Sequence, residues 1–387
     1  MKEVVLVKNI LIATCGTSIL TNNRAIFQDI LGEKKLNEIS LEDSKLIKEK
    51  VLAFLMEKDM NDKKCGAELN STYYILEKGY FSNDTIHLIV SDSEEGILSG
   101  EIIKTLLLEK LKTNNVIISK IENLNISKEY EFAKKGLRNL VSKVTHIISG
   151  NEHNTIIAPI GGLKAQIFVV GLLGQLFKIP AYYLYENSTT IIELLPLPIS
   201  LDISFFMRNL DLISKINKAG MIEKKYINTY LHQEPELRNI LDEEKMDGES
   251  WIALSTLGTI AFEKLIQDSL LFLPRDAKEG EKQWDIQFKR NEKHLERMLN
   301  YSDCLKVIDL ILNLPYVKKV YIDYFNPDNK GDIIRITNSS NNLEGAALRF
   351  EINRKQGITG GMIFLTENSE ENLNAAKIDI IEKINNL

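Results

Sequence analysis

The stretch IATCGTSIL, Ile12–Leu20, carries a short apolar run into a cysteine, a glycine and three small hydroxyl residues. Such a run reads as a strand that stops at a tight turn and reopens as a helix. Small residues there let backbone N–H groups approach a bound group closely. The runs around it decide the fold. NILIAT (9–14), TIHLIVS (85–91), NVIIS (115–119), NTIIAPI (154–160) and AYYLYE (181–186) are short and rich in β-branched residues, as strands are. Between them LEDSKLIKEKVLAFLMEK (41–58), GEIIKTLLLEKLK (100–112) and KEYEFAKKGLRNLVSKVTHII (128–148) place apolar residues at helical spacing with charges opposite. This alternation predicts an α/β, doubly wound parallel sheet over the first 200 residues. In such sheets ligands bind beyond the carboxyl ends of the strands, which is where TCGTS falls.

A second strand-to-helix turn, PIGGLKAQ (159–166), is expected at the same edge. Gly161 and Gly162 permit close backbone approach, and Lys164 puts a cation into a first helical turn. That position opposes the helix dipole unless an anion also sits there, so the placement predicts a bound phosphate. SDSEEG (91–96) leaves its strand with hydroxyl and acidic groups, suited to ribose hydroxyls or to a plain helix cap. Neither glycine turn matches the GxGxxG or P-loop spacing, so each alone is also read as a tight turn that needs small residues.

Composition limits the alternatives. The 387 residues, 44% hydrophobic and 26% charged, suit two or three globular domains and exclude a disordered chain. No apolar run approaches the roughly 20 residues that span a bilayer, and the N-terminus lacks a signal-peptide pattern, so a cytoplasmic protein without membrane contact is expected. Cys15, Cys65 and Cys304 lie far apart and form no metal or disulfide pattern. The charge balance, 48 Lys and Arg against 54 Asp and Glu, leaves no basic block of the kind that tracks long nucleic acid.

Taken together, LIATCGTSIL, GGLKAQIFVVGLLGQLFKIPAYYLYE and IIELLPLPI resemble the CRISPR-associated Rossmann-fold (CARF) sensor family over residues 1–200. The resemblance implies a receptor for cyclic oligoadenylate, with cyclic tetra-adenylate the expected activator and no other cofactor. It implies that Thr14, Gly16, Thr17 and Ser18 line one part of the pocket and Gly162, Lys164 and Gln166 another. It also implies a homodimer, because a ring of identical units in even number has twofold symmetry and suits an isologous interface.

PLPISLD (196–202) closes that domain. The segment 201–275 reads as short helices and is similar to the winged-helix connector found behind such sensors. Its 12 acidic against 8 basic residues over 201–274 argue for a dimer-stabilising linker rather than a DNA-binding one. Residues 276–387 read as α+β with an antiparallel sheet: WDIQFKR (284–290), a helical stretch 293–314, then KKVYIDYF, DIIRITN, ALRFEIN and GMIFLTE, separated by turn residues such as RKQGITGG. That order resembles a RelE-type ribonuclease, which cuts messenger RNA without metal, here with the translating ribosome as a candidate partner. Such chemistry needs a proton acceptor for the ribose 2′-OH and cations for the phosphorane. Arg349, Arg335, Glu351, His294 and Lys293 are the expected catalytic residues, with Lys289, Arg290 and Lys355 as further cations. Two alternatives stay open. One is a PD-(D/E)xK metal nuclease on Asp332 and Glu351, although Asn353 stands at its lysine position; the other is a non-enzymatic regulator. A HEPN ribonuclease is disfavoured, since Arg290 and His294 enclose only three residues.

Overall fold

In the computed structural model, Lys8–Thr14 forms strand β1 at the centre of a six-stranded sheet, and Leu11, Ile12, Ala13 and Thr14 are all buried. A strand covered on both faces explains an unbroken apolar run where a half-exposed strand would alternate. The structure describes residues 7–185, 188–282, 287–288, 302–326, 328–329, 331, 333–341, 345–354 and 357–387. The chain divides into two compact units, Met1–Ser200 and Leu201–Leu387.

In the first unit β2 is Phe81–Val90, β3 Asn115–Lys120, β4 Thr155–Ala158, β5 Ala181–Leu184 and β6 Ile191–Leu194. Their order is β3–β2–β1–β4–β5–β6, parallel except for the antiparallel edge strand β6. The chain winds outward from β1 in one direction and then, through β4, in the other. The reversal between β1 and β4 is the topological switch point, where flanking connections diverge and leave a crevice.

Two helices differ from the expectation. The one expected from Gly100 begins at Glu94, because Ser93 accepts a hydrogen bond from the Gly96 N–H and caps it, so the SDSEEG segment is a cap as well as a turn. A further helix, Gly66–Glu77, was not expected at all. It buries Leu69, Thr72 and Ile75 along one face, and its first turn reaches the switch point.

The second unit departs further from the sequence reading. Segment 201–275 is not all helical: β7 (Ile222–Glu223), β8 (Leu241–Met246) and β9 (Glu249–Leu254) form a three-stranded antiparallel sheet in the order β7–β9–β8. The charge-rich run Leu241–Met246 in this segment is β8, held by a tight turn in which Asp247 and Gly248 both have positive φ. Asp-Gly is the dipeptide such a hairpin demands.

The other sheet runs β10–β11–β14–β13–β12, with β10 Gln287–Phe288, β11 Val317–Asn326, β12 Ile333–Asn341, β13 Gly345–Arg354 and β14 Gly357–Leu365. Here β10 lies parallel to β11, correcting the expectation of an antiparallel sheet throughout. The RKQGITGG run is not a simple turn either, since Gly360 and Gly361 sit inside the buried strand β14. A Cβ at Gly360 would strike the Tyr324 ring, and one at Gly361 the Tyr321 carbonyl oxygen. A C-terminal helix, Glu370–Asn385, also went unread, although it buries Leu373, Ala376, Ile380, Ile381 and Ile384. Phe262, Ile213 and Leu237 share one apolar core with Phe325, Phe350 and Ile381. Segments 201–275 and 276–387, expected as separate domains, therefore make one unit.

Among the described residues no helix is long and apolar enough to cross a membrane.

Candidate functional site

At the switch point of the first unit lies a cleft of about 460 Å³. The turn after β1 supplies Cys15, Gly16, Thr17 and Ser18, the turn after β4 supplies Ile160–Leu163, and the segments after β2 and β3 supply Ser91, Ser93, Glu95 and Asn125. Parallel strands bring all four carboxyl ends to one edge, so residues 15 and 160 meet although 145 positions separate them.

The two glycine turns press directly against each other. A Cβ at Gly16 would stand 2.5 Å from the Gly162 nitrogen, and one at Gly161 would fall onto Glu68 Oε1, 2.8 Å from the Gly16 nitrogen. Gly162 also has φ +99°, a conformation that side chains resist. Three glycines are thus required for packing, beside any contact with a ligand.

The residue around which they pack is Glu68, from the unexpected helix. It is 2% exposed, its Oε1 accepts from the Gly16 N–H at 2.6 Å, and its Oε2 accepts from the Ser18 hydroxyl at 2.9 Å. The Gly16 N–H and the Ser18 hydroxyl, expected to line a ligand pocket, are therefore both engaged by a carboxylate of the chain itself. Nothing local marks Glu68, because an acid in a first helical turn is ordinary. Only the contact across some fifty residues gives it a role. Beneath the cleft, burial and then the Glu68 charge push the Cys15 thiol well above its ordinary value, so it is a neutral wall residue.

Of the residues expected to bind ligand, Gly16, Thr17, Ser18, Gly162 and Gln166 line the cleft. Thr14 does not: it is the last residue of β1, fully buried below the floor. Lys164 begins the helix Lys164–Leu176 but is exposed and stands outside the lining, because the first residue of that helix turns outward while Gln166 turns in. Gln166 is fully buried and its Nε2 donates to the Ile89 carbonyl at 3.0 Å. A second cleft of about 730 Å³ shares Ser18 and Ala67 with the first and carries Lys63 and Lys64.

In the second unit, β12, β13 and β11 present a polar face. Arg335 pairs in register with Glu351, and Glu351 with Gly360 of β14. Over Gly360 lies the Tyr324 ring, on the same row as Glu351. Burial first, and the Glu351 charge next, raise the Tyr324 hydroxyl above its ordinary value, with Arg349 opposing. Arg349, one row along, pairs with Asp323 at 3.0 Å and is about half exposed. Arg335, Arg349 and Glu351 thus share one face, as the alternation of ALRFEIN predicts, while Leu348, Phe350 and Ile352 fill the core behind them. Tyr324 and Asp323 were missed, because a slip in the β11 register between Ile322 and Tyr324 breaks the alternation there. Lys289, Arg290, Lys293, His294, Asp332 and Lys355 lie outside the described residues. Among the described residues no group of three His, Cys, Asp or Glu side chains is placed to hold a metal ion.

The fold and cleft of the first unit define a doubly wound α/β domain with a ligand crevice at its switch point. Residues 63–198 match the model of a family described as CRISPR-associated protein (Cas_APE2256). The structure of Can2 from Sulfobacillus thermosulfidooxidans in complex with cyclic tetra-adenylate aligns with 92% of this chain and 76% of that one, at 8% identity and a TM-score of 0.22. A likeness that distant carries no argument. No curated protein matches the chain.

Proposed function

We propose that the protein is a CRISPR-associated effector in which cyclic oligoadenylate, with cyclic tetra-adenylate as the ring to test first, binds the first unit and activates a ribonuclease in the second. The observation that carries the sensor half is the cleft at the switch point of a domain whose residues 63–198 match a CRISPR-associated family. A homodimer suits a twofold ring, with residues 201–275 as its winged-helix-like connector.

For the effector half, the proposed site is the face that carries Arg335, Arg349, Glu351 and Tyr324. Glu351 accepts the proton of a ribose 2′-OH, the resulting oxygen attacks the adjacent phosphorus, and the 5′-oxygen leaves with a proton from solvent or an acid. Arg349 and Arg335 stabilise the charge that builds on the non-bridging oxygens. Tyr324, packed over Gly360 on the same row, walls the Glu351 side of the face. For this Arg349 must turn from Asp323 to the phosphate, an exchange of one exposed anion partner for another. The sequence carries no basic block, 48 Lys and Arg standing against 54 Asp and Glu, which favours RelE-like cutting of messenger RNA presented by the translating ribosome over capture of free RNA.

The test is to supply the full chain with messenger RNA, naked or on translating ribosomes, with and without cyclic tetra-adenylate. Ring-dependent cutting that is faster on ribosomes supports the reading. Ring binding without any cutting would leave a non-enzymatic regulator in its place.

A further inference from the structure

Within the second unit, residues 201–275 and the C-terminal segment together line a cavity of about 610 Å³ that the proposed chemistry leaves unused. Leu212, Ile227, Ile334 and Ile381 supply buried apolar side chains to its lining. Two tyrosines of the same lining are open to solvent, Tyr226 at 68% and Tyr230 at 38% exposure, four positions apart in sequence. Open aromatic rings beside an apolar floor form a platform on which unpaired bases stack.

The helix Leu210–Ala219 supplies the charge. Asp211, Lys215 and Lys218 stand at i, i+4 and i+7, so they share one helix face, and all three line the cavity. Their order has a direction. The carboxyl lies in the first turn, half-buried and with one oxygen lacking a hydrogen-bond partner, and the two exposed lysines follow toward the helix C-terminus. An anion is turned from the Asp211 end toward the lysines, while a group with N–H donors is accepted beside Asp211.

The cavity also has a defined place on the sheet. Ile334 belongs to β12, an edge strand, and the next residue, Arg335, takes the opposite face beside Glu351. The Arg335 charge still acts on Asp211. Cavity and proposed catalytic face therefore lie on the two sides of one edge strand, and a flexible chain can pass between them around that edge without crossing the sheet.

We infer that the cavity is a subsite for single-stranded RNA: a base stacks on Tyr226 and Tyr230 over the apolar floor, its phosphates lie on Lys215 and Lys218, and the strand continues around β12 to Arg335 and Glu351. This rests on the reading of the second unit as a ribonuclease, and it gives residues 201–275 a part in holding substrate. So local a site is compatible with a chain that carries no basic block. An acidic peptide suits it less, since it would set carboxylates against Asp211 and gain no base stacking on the tyrosines.

Fluorescence anisotropy with the full chain and a labelled 2′-O-methyl oligoribonucleotide of about ten nucleotides tests this, because the probe lacks the 2′-OH nucleophile and reports binding without cutting. Tyr226→Ala or Tyr230→Ala should weaken binding about five- to a hundredfold, the loss of one stacked base. Tyr226→Phe keeps the ring and should bind as the unaltered chain does. Lys215→Ala with Lys218→Ala should weaken binding and lower its logarithmic salt slope by roughly one to two. Unchanged affinity in both tyrosine-to-alanine variants, or no binding by the unaltered chain, would overturn the subsite. So would variants that lose affinity for ribosomes but not for the oligonucleotide, which would mark the cavity as a protein-docking site. Tyrosine-dependent binding by a chain that cuts no RNA supports the subsite and overturns the ribonuclease reading, so the two failures are told apart.

Discussion

The two units build their candidate sites in opposite ways. In the first, backbone turns and glycines at the ends of parallel strands create a cleft, and one buried carboxylate, Glu68, holds the turns together. In the second, side chains in the middle of strands β11, β12 and β13 create a face, with the backbone only spacing them. A parallel sheet dictates where a ligand goes, since its connections must leave a crevice at the switch point. An antiparallel sheet dictates no such place, and its site depends on which side chains alternate outward. Substitution should therefore act through shape in the first unit and through charge in the second.

The largest effect expected is in the first unit, where Gly161→Ala drives a methyl group into Glu68 and the turn after β1. Ring binding should disappear, with a stability loss of about 1–3 kcal/mol by thermal unfolding. Unchanged ring affinity would break the claim that shape governs this site. In the second unit, Arg349→Ala should lower ring-stimulated cleavage about a hundredfold while ring affinity stays constant. Cleavage at the normal rate would remove the face from the mechanism.

The charges within the second unit make the contrast sharper. Burial holds the Asp211 carboxyl at about 6, up from 3.8, with the charges of Lys377 and Arg335 pulling it down. Burial also lowers Lys377, whose Nζ donates to the Met207 carbonyl at 3.0 Å. The folded state then keeps the Asp211 proton longer than the unfolded chain does, so its contribution to stability is full below about pH 4 and is lost as pH rises through about 6. That loss is on the order of 3 kcal/mol. Denaturant unfolding across this window should show Asp211→Asn gaining on the unaltered protein as pH rises, and parallel curves would contradict it. The smallest effect is that of Tyr324→Phe, which removes a hydroxyl beside Glu351 while keeping the ring over Gly360, and should slow cleavage about three- to tenfold. A loss as large as that for Arg349→Ala would make Tyr324 more than a wall of the site.

The same contrast explains what was legible. Continuous apolar runs such as NILIAT and TIHLIVS, alternating with amphipathic helices, announce a parallel sheet, and the topology then locates the cleft. Glu68 was not legible, because its helix carries mixed residues and its role arises from contacts far along the chain. Lys164 reads as a phosphate ligand from its helix position, whereas its exposed placement outside the cleft lining depends on how the helix packs, which the sequence does not show. In the second unit the alternation of ALRFEIN gave Arg349 and Glu351 their face, whereas the irregular register of β11 concealed Tyr324. The Asp247-Gly248 dipeptide favours a hairpin, but the charge-rich run before it has the composition of a helix.

The chemistry of the cut ends tests the central claim most directly. End-labelled messenger RNA on translating ribosomes, incubated with the full chain with and without cyclic tetra-adenylate, should be cut only with the ring and should carry 2′,3′-cyclic phosphate and 5′-hydroxyl ends, the products of 2′-OH attack assisted by Glu351 and Arg349. Ring-dependent cutting that instead leaves 5′-phosphate and 3′-hydroxyl ends would contradict that account and point to a metal nuclease.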